Sequence, residues 1–324
     1  MQLIIRDLIY RSPLNNMEEI VVIGSSNTDL VIKTQRIPEP GETVLGGVFM
    51  MTAGGKGANQ AVAAARLGGS TSFVARVGRD MFGERALENY AKDNLNTDFV
   101  FVDETVPSGT ALITVDGQGE NCIVVASGAN GALCRRDIDA VRERIAKAKY
   151  VLMQLEVPIE TVEYAAEVAT AEGAKVILNP APAAPLSSEL MRRLYLITPN
   201  RTESQLLTGI AVKGWADAEK AADILLRAGV ENVVITMGTM GSLLKNATQC
   251  VRVPSRRVAA VDTTAAGDVF NGALCVALSE GKSLVAALEF ATAASSIAVT
   301  RMGAQTSIPT RAEVEALMHC VPAE

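Results

Sequence analysis

The sequence contains one histidine, His319, close to its C-terminus. Ser-His-Asp and Cys-His chemistries each need a positioned imidazole, and a tail histidine reads as a solvated side chain. Proton transfer, if there is any, therefore falls to a carboxylate, a lysine or a tyrosine. Cysteine is sparse as well. Cys122, Cys134, Cys250, Cys275 and Cys320 form no CxxC pair, are odd in number and lie far apart. This spacing argues against a disulfide framework and against a structural zinc site, and reads as small buried apolar residues in a reducing cytoplasm. Basic residues are not in surplus: 30 Lys and Arg stand against 36 Asp and Glu, a formal net charge of −6, where a nucleic-acid binder would show the opposite sign. No apolar run approaches the roughly 20 residues that a membrane-spanning helix needs.

What is present is a chain of 324 residues, 48% of them hydrophobic, enough for one large α/β domain or two ordinary ones. Residues 1–16, "MQLIIRDLIYRSPLNN", hold no clean signal-peptide core and no small-residue cleavage site. They read as a disordered extension ahead of a single domain over 17–324. From Met17 onward, β-branched runs such as "EIVVIG", "YVLMQLE" and "NVVITMG" alternate with helical stretches such as "GANQAVAAARLGG" and "WADAEKAADILLRAG". Continuous apolar strands between helices predict an α/β fold with a mostly parallel sheet covered on both faces. The last third is predicted to be mainly helical, over 266–280, 283–300 and 311–320. Residues of about 29–53 and 98–126 break the rhythm. They carry β-rich runs separated by "PEPGE", "VPSG" and "DGQGE", and are predicted to form a small β-sheet lid projecting from the body.

Five motifs could carry chemistry. "AGGKGANQ" is a glycine-rich loop opening a helix, but Gly57 follows Lys56 where a P-loop needs Ser or Thr, and Gln60 stands where a dinucleotide fingerprint needs Gly. What remains is a backbone able to approach a ligand, flanked by Lys56 and Asn59, both suited to hydroxyls; the alternative is a tight turn needing glycine only for positive φ. In "GSSNTDL", Asn27 and Asp29 follow the first strand, where open α/β sheets bind ligands, although either could make a local Asx turn. Glu156 in "MQLE" is at the same edge, or is a charge favouring the next helix dipole. Asn200 and Glu203 in "TPNRTE", with Thr236, Gly238 and Gly241 in "ITMGTMGS", put small residues and amides at two adjacent strand ends, which suits a nucleotide. In "VDTTAAGDVFNGAL", Ala265, Ala266 and Gly267 present unobstructed N–H groups to a transferring phosphate. Asp268, just inside the helix, is either a cap or a carboxylate able to take a proton from an attacking hydroxyl. Asp262 is either a cap or a cation ligand.

Read in order with "GETVLGG", "GRDMFGE", "LNPAPA" and "AVTRMGAQTSIP", these motifs span about residues 19–318. The set resembles the phosphofructokinase-B-type carbohydrate kinase family, and "NTD", "KGAN" and "QLE" resemble its members that act on ribose. The resemblance implies a three-layer α/β sandwich with a mostly parallel central sheet and a β-lid, the lids of two subunits pairing as a homodimer. It implies transfer of phosphate from ATP to the 5-hydroxyl of D-ribose, in the cytoplasm, with Asp268 as base and an anion hole at 265–268. By the same resemblance, Asn27, Asp29, Gly55, Lys56, Asn59 and Glu156 bind the sugar. Asn200, Glu203, Thr236, Gly238, Gly241, Gly267 and Thr292 bind the nucleotide, with Mg²⁺ near Glu203. Asp262, Thr264, Ala298, Arg301, Gly303 and Ser307 hold an activating K⁺, several of them through backbone oxygens. Two positions depart from the family pattern. Ala265 stands where Gly is common, and Thr292 where larger polar side chains are common. The alternatives are a kinase for 2-deoxyribose, a ketohexose or a nucleoside, the last disfavoured by an aromatic content of 4%. A non-catalytic sugar-sensing protein is disfavoured because Asp268 and Gly267 are both present.

Overall fold

The computed structural model describes residues 19–319. The expected extension at 1–16 and Cys320 lie outside the described residues. The strands run β1 (Glu19–Ile23), β2 (Asn27–Lys33), β3 (Val48–Gly54), β4 (Thr71–Gly78), β5 (Val100–Asp103), β6 (Gly109–Val115), β7 (Asn121–Ala126), β8 (Ala148–Met153), β9 (Lys175–Leu178), β10 (Leu194–Ile197), β11 (Asn232–Thr236), β12 (Ser242–Asn246) and β13 (Cys250–Val253). The helices are α1 (Lys56–Arg66), α2 (Met81–Lys92), α3 (Arg135–Ala140), α4 (Arg142–Ile145), α5 (Ile159–Ala171), α6 (Ser188–Arg193), α7 (Arg201–Thr208), α8 (Trp215–Arg227), α9 (Ala266–Ser279), α10 (Leu284–Ala298) and α11 (Arg311–His319).

Nine strands form one sheet in the order β13-β12-β11-β10-β9-β8-β1-β4-β5. It is parallel from β5 through β11 and ends in the antiparallel strands β12 and β13. The two-residue period of a strand divides its apolar side chains between the faces. In β1, Ile20 and Val22 join the core built with α1, α9 and α10, whereas Val21 and Ile23 join the core built with α5 and α8. Burial on both faces is why these strands read as continuous apolar runs. The expected three-layer sandwich is therefore present.

Helix α9 is buried from Asp268 to Ser279. It crosses α1 closely because the contact surface is made of small residues: a Cβ on Gly272 would meet the Ala63 Cβ and the Gln60 carbonyl, each at 2.7 Å. This crossing carries the first turn of α1 to the first turn of α9.

The lid is a separate four-stranded sheet ordered β3-β2-β6-β7. Its boundary differs from the sequence reading at one point. The 100–103 segment pairs in parallel with β4 and extends the main sheet, so that the lid's second half starts at Gly109. The reason is local: "DFVFVD" continues the β-α-β alternation after α2, and only the turn at "VPSG" redirects the chain. The cysteine expectation also needs correction. Cys275 is buried in α9, but Cys122, Cys134 and Cys250 are exposed. They lie on the uncovered lid strand β7, at the N-cap of α3 and on the edge strand β13, where no layer packs over them. Among the described residues, no helix is long and apolar enough to cross a membrane.

Candidate active site

The carboxyl ends of the central strands converge on one crevice, as expected for an open α/β sheet. Its floor is the junction of α1 and α9. Asp268 is the third residue of α9 and is 6% exposed. Its Oδ2 accepts Asn59 Nδ2 at 2.9 Å and its Oδ1 accepts Gln60 Nε2 at 3.0 Å. Burial pushes its carboxyl above the usual range, while Lys56 and the two amides pull the other way. Lys56 is partly buried, which depresses its ammonium, but Asp268, Glu156, Glu203 and Asp29 together outweigh this and raise it. One cation thus serves four carboxylates.

The turn before α9 is unusual. Ala265 is left-handed, with φ 59°. That conformation disfavours any side chain bearing a Cβ, which accounts for the glycine expected there. The sequence reading offered the amides of Ala265, Ala266 and Gly267 to an anion. The structure changes the set: Ala266 N–H is bonded to the Thr263 carbonyl at 3.2 Å, whereas the N–H groups of Ala265, Gly267 and Asp268 meet no acceptor among the described residues. The first N–H groups of a helix have no intrahelical partner, and they attract anions. A Cβ added to Gly267 would meet nothing within 4 Å, so the helix mouth opens into free space.

Across the crevice, Asn27 and Asp29 are strand residues of β2, which removes the Asx-turn alternative. Asn27 Oδ1 accepts Asn130 Nδ2 at 2.7 Å. Asp29 accepts no hydrogen bond from a described residue. Burial, followed by Glu156 and Asp268, raises its carboxyl to about 6. Glu156 lies three residues beyond β8 and is not the cap of α5. Its Oε2 accepts Ser25 Oγ at 2.6 Å and Lys56 N–H at 2.9 Å. Gly55 has φ 87°, as the tight-turn reading expects, and a Cβ there would also come 2.7 Å from Asn27 N, so the protein's own backbone requires glycine at this point. A cavity of about 390 Å³ lies between the lid and the body and is lined by Asn27, Val125, Asn130, Glu156 and Pro182 among others.

The nucleotide candidates divide. Asn200 and Thr236 are joined by an isolated β-bridge at neighbouring strand ends, and Gly238 and Gly241 follow with positive φ. Asn200 and Glu203 form a reciprocal capping box on α7: Asn200 N–H donates to Glu203 Oε2 at 2.8 Å and Glu203 N–H to Asn200 Oδ1 at 2.9 Å. Burial raises the Glu203 carboxyl, while the Asn200 N–H and Lys56 lower it. Thr292 is buried in α10 and no hydrogen bond links it to these residues.

Of the cation candidates, Asp262, Thr264 and Gly303 are joined directly, and no hydrogen bond links Ala298, Arg301 or Ser307 to these three. Asp262 N–H donates to the Val299 carbonyl at 3.2 Å, Gly303 N–H to Asp262 Oδ2 at 2.9 Å, and Thr264 Oγ to Asp262 Oδ1 at 2.6 Å. The turn leading into α9 is thereby tied to the end of α10. Ser307, fully buried, donates from Oγ to the Ala304 carbonyl.

The sequence reading missed Gln60, Asn179, Thr198, Gln154 and Asn271. Gln60 appeared there only as the residue that spoiled a glycine fingerprint. An amide residue followed by the apolar run "AVAAA" was the available signal.

The profile of the pfkB family of carbohydrate kinases matches residues 17–311. The ribokinase of Haemophilus influenzae is 43% identical over 301 residues, covering 93% of this chain and 98% of its own. The deoxyribokinase of Salmonella typhimurium is 38% identical over 292 residues, covering 90% of this chain and 95% of its own. The structure of Arabidopsis thaliana ribokinase complexed with ribose and ATP superposes with a TM-score of 0.88 at 32% identity, covering 94% of this chain and 99% of that one.

Proposed function

This chain belongs to the pfkB family of carbohydrate kinases, and from that premise we propose that it transfers the γ-phosphoryl group of ATP to the 5-hydroxyl of D-ribose, giving D-ribose 5-phosphate and ADP. The observation that carries the reading is the pairing of a buried, amide-held carboxylate with free N–H groups on the same helix turn. Phosphoryl transfer asks for positioning, charge stabilisation and a proton acceptor. Asp268 takes the proton from the 5-hydroxyl as its oxygen bonds to the γ-phosphorus. The bond from that phosphorus to the bridging oxygen breaks, and ADP leaves. The N–H groups of Gly267 and Asp268, at the positive end of α9, face the charge on the transferring group.

On the sugar side, Asp29, Asn27, Glu156, Lys56 and Asn59 supply acceptors and donors for hydroxyls. Asn59 Oδ1 is buried and has no partner, and a sugar hydroxyl is the kind of group that would satisfy it. The strand ends at Asn200, Thr236, Gly238 and Gly241 take the nucleotide, with Glu203 beside the Mg²⁺ that accompanies ATP. Thr292 belongs to this set only through the resemblance.

The donors at the α10 end are all oxygens, which fits a K⁺ ion: the Asp262 carboxylate, the carbonyls of Thr264, Ala298, Arg301 and Gly303, and Ser307 Oγ. A bound ion there would stiffen the 262–265 turn that leads into α9. The lid leaves Leu112, Ile123, Val124 and Val125 at least half exposed, and a few-stranded sheet with apolar faces needs a cover. Its cover is the lid of a second copy, in a homodimer.

The test is a coupled assay of ADP release with Mg-ATP and K⁺ over D-ribose, 2-deoxyribose, D-fructose, D-xylose and adenosine. The highest kcat/KM is expected for ribose. A win for 2-deoxyribose would move the chain to the deoxyribokinase side of its relatives. Turnover of none of them, with ribose still bound, would restore the sensing reading.

A further inference from the structure

Three neighbouring strands each end in a polar residue one position past the ladder: Gln154 after β8, Asn179 after β9 and Thr198 after β10. All three are essentially buried. They are joined to α1 and α9 by a single run of hydrogen bonds. Gln154 Nε2 donates to Gln60 Oε1 at 2.6 Å. Gln60 Nε2 donates to Asp268 Oδ1 and to Asn179 Oδ1, both at 3.0 Å. Asn179 Nδ2 reaches the Thr198 carbonyl at 3.4 Å. Thr198 Oγ1 donates to Asn271 Oδ1 at 2.6 Å, and Asn271 Nδ2 donates to the Gly267 carbonyl at 2.8 Å. The run begins at the proposed base and ends on the turn that faces the phosphoryl group.

The direction of each amide in it follows from the groups it meets: the Asp268 carboxylate sets Gln60, Gln154 and Asn179, and the Gly267 carbonyl sets Asn271. An ionised carboxylate only accepts, so Gln60 must present its NH₂ to Asp268. Its carbonyl then faces Gln154, which must answer with NH₂. Gln154 Oε1 is left over, buried and without a partner. It lies against the Gly24 backbone, where a Cβ would come within 2.0 Å of it, so only glycine at the end of β1 leaves room. An orphaned buried acceptor destabilises the fold. The fold tolerates this at Gln154, and the Asp268 carboxylate keeps its donor.

We propose that Gln60 is a positioning residue for the phosphoryl-transfer step: it fixes Asp268 Oδ1, favours the ionised carboxylate, and through Asn179, Thr198 and Asn271 locks the base to the Gly267 turn. The proposal rests on Asp268 being the base. Gln60 is completely buried and has no access to substrate. The charged groups around Asp268 are Lys56 on α1, Asp29 on β2, Glu156 after β8 and Glu203 on α7. Three of these are acidic, so removing a neutral donor shifts Asp268 toward its protonated form.

The test is the pH dependence of kcat for Gln60→Met, which keeps length and loses the donor, beside wild type and Asp268→Asn. The expected result is a kcat about 10- to 100-fold lower, the scale of one hydrogen bond to a charged group, with ribose KM within about threefold. The acid limb should move to higher pH by about half a unit or more. Gln60→Glu, in which two carboxyl groups compete for one proton, should move the limb further. A folded Gln60→Met with unchanged kcat and acid limb overturns the proposal, as does a loss carried entirely by KM. If Gln60→Met does not fold, Gln154→Met decides: it releases the anchor of Gln60 and should move the limb in the same direction by less, and an unmoved limb overturns the proposal. If Asp268→Asn keeps near-normal kcat, it is the base assignment that falls, whatever Gln60 does.

Discussion

Asp268 and Asp29 face the same crevice from opposite sides and are held in opposite ways. On the body side, Asp268 accepts two amide donors, stands at a helix N-terminus and is 6% exposed. On the lid side, Asp29 accepts nothing from the described residues, and burial, followed by its acidic neighbours Glu156 and Asp268, raises it to about 6. Their surroundings differ in the same sense. The body strands are buried on both faces, whereas all six residues of β7 are exposed. On the body side the Asp268 carboxylate has its two amide donors, while Asn59 Oδ1 and the N–H groups of Gly267 and Asp268 have no partner among the described residues. On the lid side Asp29 is an acceptor without a donor among the described residues, and strand β7 leaves apolar surface exposed. This separates two tasks. Rigid placement supports the chemical step, and unsatisfied polar groups on a projecting sheet support capture of a polyol.

The sharpest way to break that division is to swap the effects. Asp268→Asn is expected to lower kcat by roughly 10²–10⁴-fold while ribose affinity, read by calorimetry, stays within a few fold. A variant that loses affinity and keeps turnover would reverse the roles of the two sides. Asp29→Asn should do the opposite, weakening ribose binding by about 10- to 100-fold through lost charged hydrogen bonds. It should also leave a mark in the apo protein. A carboxyl at about 6 in the folded chain and near 3.8 unfolded holds its proton longer when folded, so stability falls as pH rises from about 4 to 6. Asp29→Asn should remove that slope in urea titrations. In the wild type, ribose affinity should climb through about pH 6, since sugar hydroxyls donate to the ionised form.

Completion of the lid by a second copy is tested by Ile123→Asp, which buries a charge in the proposed contact. Sedimentation should show a monomer, with a raised ribose KM. A dimer that survives the change would put the cover elsewhere. On the body side, exchanging K⁺ for Na⁺ should lower kcat and also the melting temperature of the ligand-free protein, because an ion that binds only the folded turn stabilises it by mass action. The smallest effect is expected at Ala265→Gly. Relief of a left-handed alanine is offset by the greater freedom of glycine in the unfolded chain, which leaves a gain of about 1 kcal/mol or less by chemical denaturation.

Much of this architecture was legible in the chain. Alternating apolar strands and helices predicted the parallel sheet, turn residues at "PEPGE" and "DGQGE" marked the lid, and the helix mouth at Asp268 stood out once the other motifs were read beside it, since a carboxylate there can also be a plain cap. The β5 segment was misassigned to the lid because four β-favouring residues look alike in either sheet. Cys122, Cys134 and Cys250 were misjudged because burial depends on which layer covers a strand or a helix end, and no local pattern reports that.

Local sequence thus determined the elements, their order and the residue types at each strand end, since backbone propensity and apolar periodicity act over a few residues. Which side chains would hold Asp268 was decided only by the tertiary structure. Asn59 and Gln60 reach Asp268 across 209 and 208 residues of chain. That meeting depends on the close crossing of α1 and α9 at Gly272. Its donor directions follow from an ionised carboxylate that accepts and never donates, and only the crossing brings the two amides to it.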